Sequence, residues 1–546
     1  MSRLAREITI GNKTVQVPIN IVDDLINFFD PAKGQARFQN RLRMAITGGY
    51  TGADRTRRAN QYGRVSERDA DTAIIPDLST LREESQHLIR NNAIARGAIN
   101  TNLTKVVGTG LKVKSQIDRQ ALKLTDEQAD AWERQAEREF KLATETREID
   151  IERELPFSLL QGLVFLKTLE DGDIFVNLPR KARAGSPYKL KLQLIESARI
   201  CNPENKPATA RLVGGVQKDE DGAPVAYHVL NQHPGTALRN RQNLTWTALP
   251  AFATNGNPLC LHIKDKTRPG QTRGVPYLTP VVELIKQLGR YTDAEVMAAV
   301  VSGMLTVFVT NETGNPQLGP APTQLNPDGD ASQQVDTTGM ELGYGSVIGL
   351  LPGEKVDTVN PGRPNPAFDP FVTAILRQIG MSLELPFELL VKHFTASYSA
   401  ARAALEEAWD YFNRRRHWLV TVFCQPIYEA VITEAVASGR LNAPGFFADP
   451  LVRKAWLSSN WIGDAPSQLD PLKEVNAAAK RIEQCISTLD EECRRLTGTP
   501  LEDKLPQILK ERAILRKAGI VTSAYEQISM AQEPEEKPDQ PDTETE

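Results

Sequence analysis

Apolar positions in this chain recur every three or four residues over several long stretches, and those stretches set its plan. Between 279 and 304 the repeat runs through Val281, Leu284, Ile285, Leu288, Tyr291 and Met297, the period of a helix with one buried face. Thr279 followed by Pro280 reads as a cap and an N1 proline. A second amphipathic helix is predicted over 368–383. The longest helical stretch runs over 397–438, up to roughly 60 Å at 1.5 Å per residue, with a kink expected at Pro426. Between the first two, 305–310 reads as a strand and 311–343 as a flexible loop rich in Gly, Pro, Asn and Gln. Segments 346–351 and 354–359 are expected to pair around Pro352-Gly353.

Upstream, helices are predicted over 77–94, where Asp77, Ser79 or Thr80 could cap, and over 125–142. The second opens with Thr125-Asp126-Glu127-Gln128, a capping box with acids in the first turn. Residues 106–113 read as strand, turn, strand. A helix over 157–169 leads into Asp171-Gly172-Asp173, read as a tight turn with outward carboxylates. Short strands follow at 174–178, 190–195, 214–217, 226–230 and 259–263. Two or three helices are expected beyond 471, ending near 530. Helices and short strands are mixed without a repeating βαβ unit, so the fold class is α+β.

Composition narrows the function. The 546 residues allow two to four compact domains. Net charge is −4, from 65 basic and 69 acidic residues, which argues against tight neutralisation of nucleic-acid phosphates. The charge is uneven: residues 31–70 hold nine Lys/Arg against three acids, and 525–546 hold eight acids against Lys537. Both ends read as solvated arms. The five cysteines show no CxxC spacing, and the opening MSRLAREITIGNKTVQV has no apolar core of the signal-peptide kind. Assembly in a reducing cytoplasm is expected. The uncharged run 296–311 is too short to span a bilayer, so no membrane partner is expected.

The search for chemistry returns little. Val107-Gly108-Thr109-Gly110-Leu111-Lys112-Val113 begins like GxGxxG but has Val113 where the third glycine belongs, and GxxxxGK[ST] does not occur. His228 and His233 lack the cysteines that would complete a zinc site. Glu170, Asp171, Asp173 and Glu196 could in principle gather Mg²⁺ for a nuclease, but no Lys stands two residues after Glu196. Arg414-Arg415-Arg416 beside Trp418 could touch phosphate or a neighbouring subunit. On a helix these arginines point about 100° apart, so they form no single stripe. No catalytic residue, metal ligand or cofactor is expected.

Several phrases, in this order, resemble the lambda family of phage portal proteins. They are Arg90-Asn91-Asn92, Ala95-Arg96-Gly97-Ala98-Ile99, Val107-Gly108-Thr109-Gly110-Leu111, Asp171-Gly172-Asp173, Leu192-Gln193-Leu194-Ile195-Glu196, Pro224-Val225-Ala226-Tyr227-His228, Arg268-Pro269-Gly270-Gln271 with Arg273-Gly274-Val275-Pro276, Ser397-Tyr398-Ser399-Ala400-Ala401-Arg402, Trp461-Ile462-Gly463 and Leu469-Asp470-Pro471. The resemblance covers roughly 80–475. It implies a portal-protein fold with wing, long stem helices, α/β clip and helical crown, assembling into a ring, with a dodecamer expected. Mapped onto this chain, it implies a weakly ordered basic arm at 1–79, a wing at 80–275 and a first stem helix at 276–304. The clip is 305–365, the second stem helix 366–390 and the tunnel loop 391–397. A long wing helix and the segment after it occupy 398–470, a helical crown 471–530 and an acidic disordered tail 531–546. The tunnel loop, Val391, Lys392, His393, Phe394, Thr395, Ala396 and Ser397, would face DNA. The family's implied partners are double-stranded DNA, the terminase large subunit, a head–tail adaptor, and the major capsid and scaffold proteins, within a virion. The competing readings are another structural virion protein, an adaptor or scaffold, and the nuclease.

Overall fold

The computed structural model describes residues 67–236, 244–303, 307–311, 354–358, 365–393, 398–464, 471–497 and 501–517. It also describes two strands at 5–10 and 13–18 and residues 28, 30, 31, 33 and 35. The chain divides into two compact units, Met1–Asp69 and Ala70–Glu546. In the first, β1 (Ala5–Ile10) and β2 (Lys13–Pro18) pair antiparallel, with Ile8 opposite Val15. The alternation of apolar and polar residues on both sides of a two-residue link is a hairpin signal.

After a short helical segment, Ala70–Ile74, the second unit continues with α1 (Leu78–Asn91) and α2 (Ala93–Val106). Asp77 stands at the N-cap of α1 without a side-chain cap bond. Asn92 separates the two helices: its side chain accepts from the amides of Ile94 and Ala95 at 3.0 and 3.1 Å, capping α2. The predicted strand at 106–107 is therefore the end of a helix. Val106 is fully buried on it, and tertiary packing outweighs the β-branched preference. Strand β3 (Lys112–Ser115) follows.

Helix α3 (Asp126–Thr144) starts on the predicted capping box, with the Gln128 amide donating to Thr125 Oγ1 at 3.3 Å and the Thr125 amide donating to Gln128 Oε1 at 3.2 Å. Helix α4 (Phe157–Asp171) feeds β4 (Asp173–Asn177). The sheet strands are β5 (Gln193–Ile195), β6 (Leu212–Val213), β7 (Val216–Lys218), β8 (Pro224–Leu230), β9 (Trp246–Pro250) and β10 (Cys260–Lys264). They form two antiparallel sheets, ordered β10-β4-β5 and β6-β7-β8-β9. Side chains alternate across a strand, and β4 uses this to serve two cores. Ile174 and Val176 join the large core with α2, α3 and α4, while Phe175 joins a second core with Ile200, Tyr227 and Cys260.

Helix α5 (Val282–Gly303) is entered through a 3-10 turn, Thr279–Val281. The predicted cap at Thr279 is not made, because Leu278 takes the N-cap position. Strands β11 (Val307–Asn311) and β12 (Glu354–Thr358) pair antiparallel. The segment beginning at Glu354 thus pairs with the strand after α5, while its expected hairpin partner, 346–351, lies outside the described residues. Helix α6 (Phe368–Ser382) returns beside α5, with Phe368 and Phe371 against Tyr291 at ring-centroid distances of 5.7 and 4.9 Å. On α6 the exposed Phe371, Ala374, Gln378 and Met381 are uncharged, with exposed Arg377 beside them and Asp369 in the first turn.

A short helix α7 (Phe387–Val391) precedes α8 (Tyr398–Leu419). A π-turn over Val420–Cys424 joins α8 to α9 (Gln425–Ala437). The π-turn ends two residues before Pro426, whose ring would clash with the carbonyl four residues back in a regular helix. Among the described residues, one helix (402–437) is long and apolar enough to cross a membrane. It is also the spine of the large core: Phe423, Cys424, Ile427, Tyr428 and Val431 are all fully buried. Strand β13 (Ser459–Ile462) pairs with β3. Helices α10 (Pro471–Glu483), α11 (Leu489–Thr497) and α12 (Leu501–Lys517) follow.

Candidate functional site

The densest polar cluster lies where α1, β4, β10 and the approach to α5 meet, and Asp173 is its centre. Asp173 is fully buried. Its carboxylate accepts from Arg273 Nε at 2.7 Å and Nη2 at 3.1 Å, from Arg82 Nη2 at 3.0 Å and from the Gly274 amide at 3.0 Å. His262 Nε2 lies 3.1 Å away, and the Ser197 hydroxyl also donates. Burial opposes ionisation here, but the charges of Arg273 and Arg82 and the bond from His262 outweigh it and hold the carboxyl well below its usual range.

Arg273 in turn donates Nη1 to the carbonyls of Ile200 (2.8 Å) and Gly214 (2.6 Å), and Nη2 to that of Ser197 (2.8 Å). One guanidinium thus ties both sheets together, using the fan of donors that lysine lacks. Arg82 adds α1 through the Asp171 carbonyl at 2.9 Å, and burial lowers its pKa to about 10. Asp171 is held by Gln86 and Lys167, both at 2.8 Å. Lys167 also reaches Glu170 at 2.8 Å and Glu196 at 3.8 Å.

The backbone beside the cluster is equally tight. Gly172 has φ +89, and a Cβ there would stand 2.6 Å from the backbone of Gly274 and Val275; one on Gly274 would meet the Gly172 carbonyl oxygen at 1.9 Å. Two glycines let the end of α4 cross the segment that launches α5. Asp71 holds the same segment, accepting from the Thr272 amide at 2.7 Å, and Lys264 donates to the Gln271 carbonyl at 3.1 Å.

These contacts correct the reading of Asp171-Gly172-Asp173 as a turn with outward carboxylates. The turn is real, but both carboxylates point inward onto cations of the chain. The four acids of the nuclease reading face Arg82, Arg273, Lys167 and His233. Among the described residues no cluster of three or more His, Cys, Asp or Glu could hold a metal ion. The glycine-rich 107–111 segment is likewise a clasped turn, its Thr109 amide and hydroxyl each 3.0 Å from the Asp464 carboxylate.

Burial drives the pKa of His262 down to about 4, against the opposing pull of Asp173. A histidine kept neutral in the fold but free to protonate when unfolded makes stability fall as pH drops from 6.5 to about 4. The expected loss is roughly 3 kcal/mol. Asp173, with its depressed pKa, contributes stability lost only as pH falls below the ordinary carboxylate value of 3.8, so the two windows separate. Denaturant titrations of the parent and His262→Gln across pH 7 to 4 check this: the variant should lose the slope between 6.5 and 4.

The residues expected to face DNA or phosphate fall into two groups. Val391, Lys392 and His393 are exposed at the end of α7. Lys392 has φ +56, and the His393 amide donates to the Glu388 carbonyl at 3.2 Å. Phe394, Thr395, Ala396 and Ser397 lie outside the described residues. The three arginines diverge around α8, each with partners within the chain. Arg414 pairs with Glu384 and lies over Tyr411. Arg415 reaches Asp265 at 2.5 Å and stacks over Trp418 at 4.8 Å. Arg416 donates to the carbonyls of Val106, Lys105 and Asp464 at 3.0–3.1 Å. The Asp173 cluster went unread in the sequence; the phrase Arg273-Gly274 next to the start of α5 was its one local hint.

In this geometry long helices leave a mixed α/β body beside a buried, mutually paired charge cluster. The profile of phage portal proteins of the lambda family matches residues 55–416, and the chain belongs to that family. It is 25% identical over 472 residues to the portal protein of Escherichia phage N15, covering 84% of this chain and 88% of that one. The same identity over 472 residues relates it to portal protein B of Escherichia phage lambda, at 83% and 87% coverage. Its backbone is also similar to a chain in the neck of a native gene transfer agent particle, with a TM-score of 0.40, 13% identity, and coverage of 78% and 94%.

Proposed function

We propose that this portal protein forms a closed ring, with a dodecamer expected, at one capsid vertex, and that double-stranded DNA enters and leaves through its channel. It docks the terminase large subunit during packaging and the head–tail adaptor afterwards, and it contacts the major capsid and scaffold proteins in the host cytoplasm, where the particle assembles. The observation that carries the reading is the family match over 55–416, a span containing the α5–ladder–α6 unit. In that unit two helices packed through Tyr291, Phe368 and Phe371 are joined by an antiparallel pair of strands.

In this reading α5 and α6 are the stem, 305–365 the clip and 80–275 the wing. The wing also takes in the long helix and following segment at 398–470. Residues 471–530 are the crown, with a basic arm before residue 80 and an acidic tail after 530. The tunnel loop is 391–397, with Lys392 and His393 as the basic residues nearest DNA. Packaged DNA has to slide, and every arginine added to a lumen is another phosphate contact to break. Cyclic rings need head-to-tail contacts that close. Mass photometry of the purified chain tests the ring: the expected species is roughly 0.7 MDa, twelve copies of a 60.4 kDa chain. A monomer at every concentration and salt overturns the proposal.

A further inference from the structure

A cleft of about 950 Å³ opens between the first half of α8, the end of β13, and helices α10 and α11. Its volume is in the range of ligand-binding sites. The floor is apolar and aromatic, from Leu405, Trp409, Trp461 and Ile462, and the lining carries six Lys/Arg against four acids. The rim is fixed in advance: Arg481 forks onto Glu492 at 2.6 and 2.7 Å, and Arg494 pairs with Asp490 at 2.5 Å. Pre-ordered side chains lose little entropy when a partner arrives.

We infer that this cleft receives the acidic segment 524–546 of the same chain. The complementarity has two parts. Tyr525, Ile528 and Met530 offer apolar anchors for the floor, and seven acids follow Met530 toward a rim where Arg495 is exposed. The reach fits as well. Helix α12 begins against α11, where the Leu501 amide donates to Asp490 at 2.8 Å, and its 17 residues carry the chain about 25 Å away. The seven residues 518–524 can span up to ~24 Å, enough to bring Tyr525 back. A docked polyanion would also keep duplex phosphates out of the cleft.

Hydrogen–deuterium exchange on the assembled full-length protein tests this, against a chain ending at residue 523. The expected result is exchange roughly tenfold faster over 402–413 and 460–464 after truncation, with protection restored by a synthetic 524–546 peptide. That restoration should weaken in about 0.5 M salt and fail on Arg495→Glu, an exposed rim position that leaves the buried core untouched. Unchanged exchange after truncation means that something else covers the cleft, a second copy included, and overturns the inference. So does restoration that ignores both salt and the Arg495→Glu charge reversal. Neither result depends on the channel reading.

Discussion

Asp173→Asn is expected to cost about 3–5 kcal/mol of unfolding free energy, because it leaves Arg82 and Arg273 buried without their countercharge. The amide keeps the shape of the carboxylate, so the loss reports charge rather than a cavity. Arg273 is only 2% exposed and cannot turn to water without parting both sheets. Asp171→Asn is the comparison. Lys167 keeps Glu170 as a partner and is itself part-buried, so a smaller loss of about 1–2 kcal/mol is expected. Denaturant midpoints at one fixed protein concentration make the measurement clean, since assembly would otherwise add its own concentration dependence. Equal losses for the two variants would mean that Asp173 is not the centre of the cluster.

Gly274→Ala is expected to be at least as damaging. The added methyl would stand 1.9 Å from a backbone oxygen that no rotamer change can move. Relief requires shifting either the end of α4 or the segment leading to α5, and we expect a loss above about 3 kcal/mol or a failure to fold. Gly289→Ala within α5 is the control. Nothing lies within 4 Å of its Cβ position, so better helix propensity should leave stability unchanged or raise it by up to about 1 kcal/mol. Circular dichroism melts of the two variants separate these outcomes directly.

The elements that could be read from the sequence are those whose signals are local. The capping box at Thr125 and the apolar repeat of α5 are local to single helices; the box forms as expected, and the repeat is buried or half-buried as far as Tyr291 while Met297 is exposed. Pro426 announced a break, and the fold answers it with a π-turn that keeps one continuous spine. The hairpin β1–β2 was equally local and was missed, although its alternation and short link are ordinary strand signals. Local reading misled where tertiary contacts decide. Val106 and Val107 look like strand residues, but burial against neighbouring helices keeps the first at the end of α2. The Asp173 cluster joins residues 82, 173, 262 and 273, and nothing in the neighbourhood of Asp171-Gly172-Asp173 says that cations wait on other elements. A polar Asp-Gly-Asp turn normally faces water. Here the Gly172–Gly274 crossing is what draws it inside.

The fasteners also bear on the proposed function. In the proposed ring, a subunit that holds its place while DNA passes needs its long helices launched at a fixed angle. Arg273, Gly274 and Asp173 sit immediately before that launch point, where α1 and both sheets contribute contacts. The same cluster explains why carboxylates that resemble a metal site in the sequence are committed to structure.

The most direct test of the central claim is single-particle electron microscopy of the purified protein with rotational symmetry left free. The account predicts a closed ring whose central channel, at least ~20 Å wide, admits B-form DNA, with α5 and α6 around it. Monomers or small oligomers without a channel, under conditions that permit assembly, would contradict it.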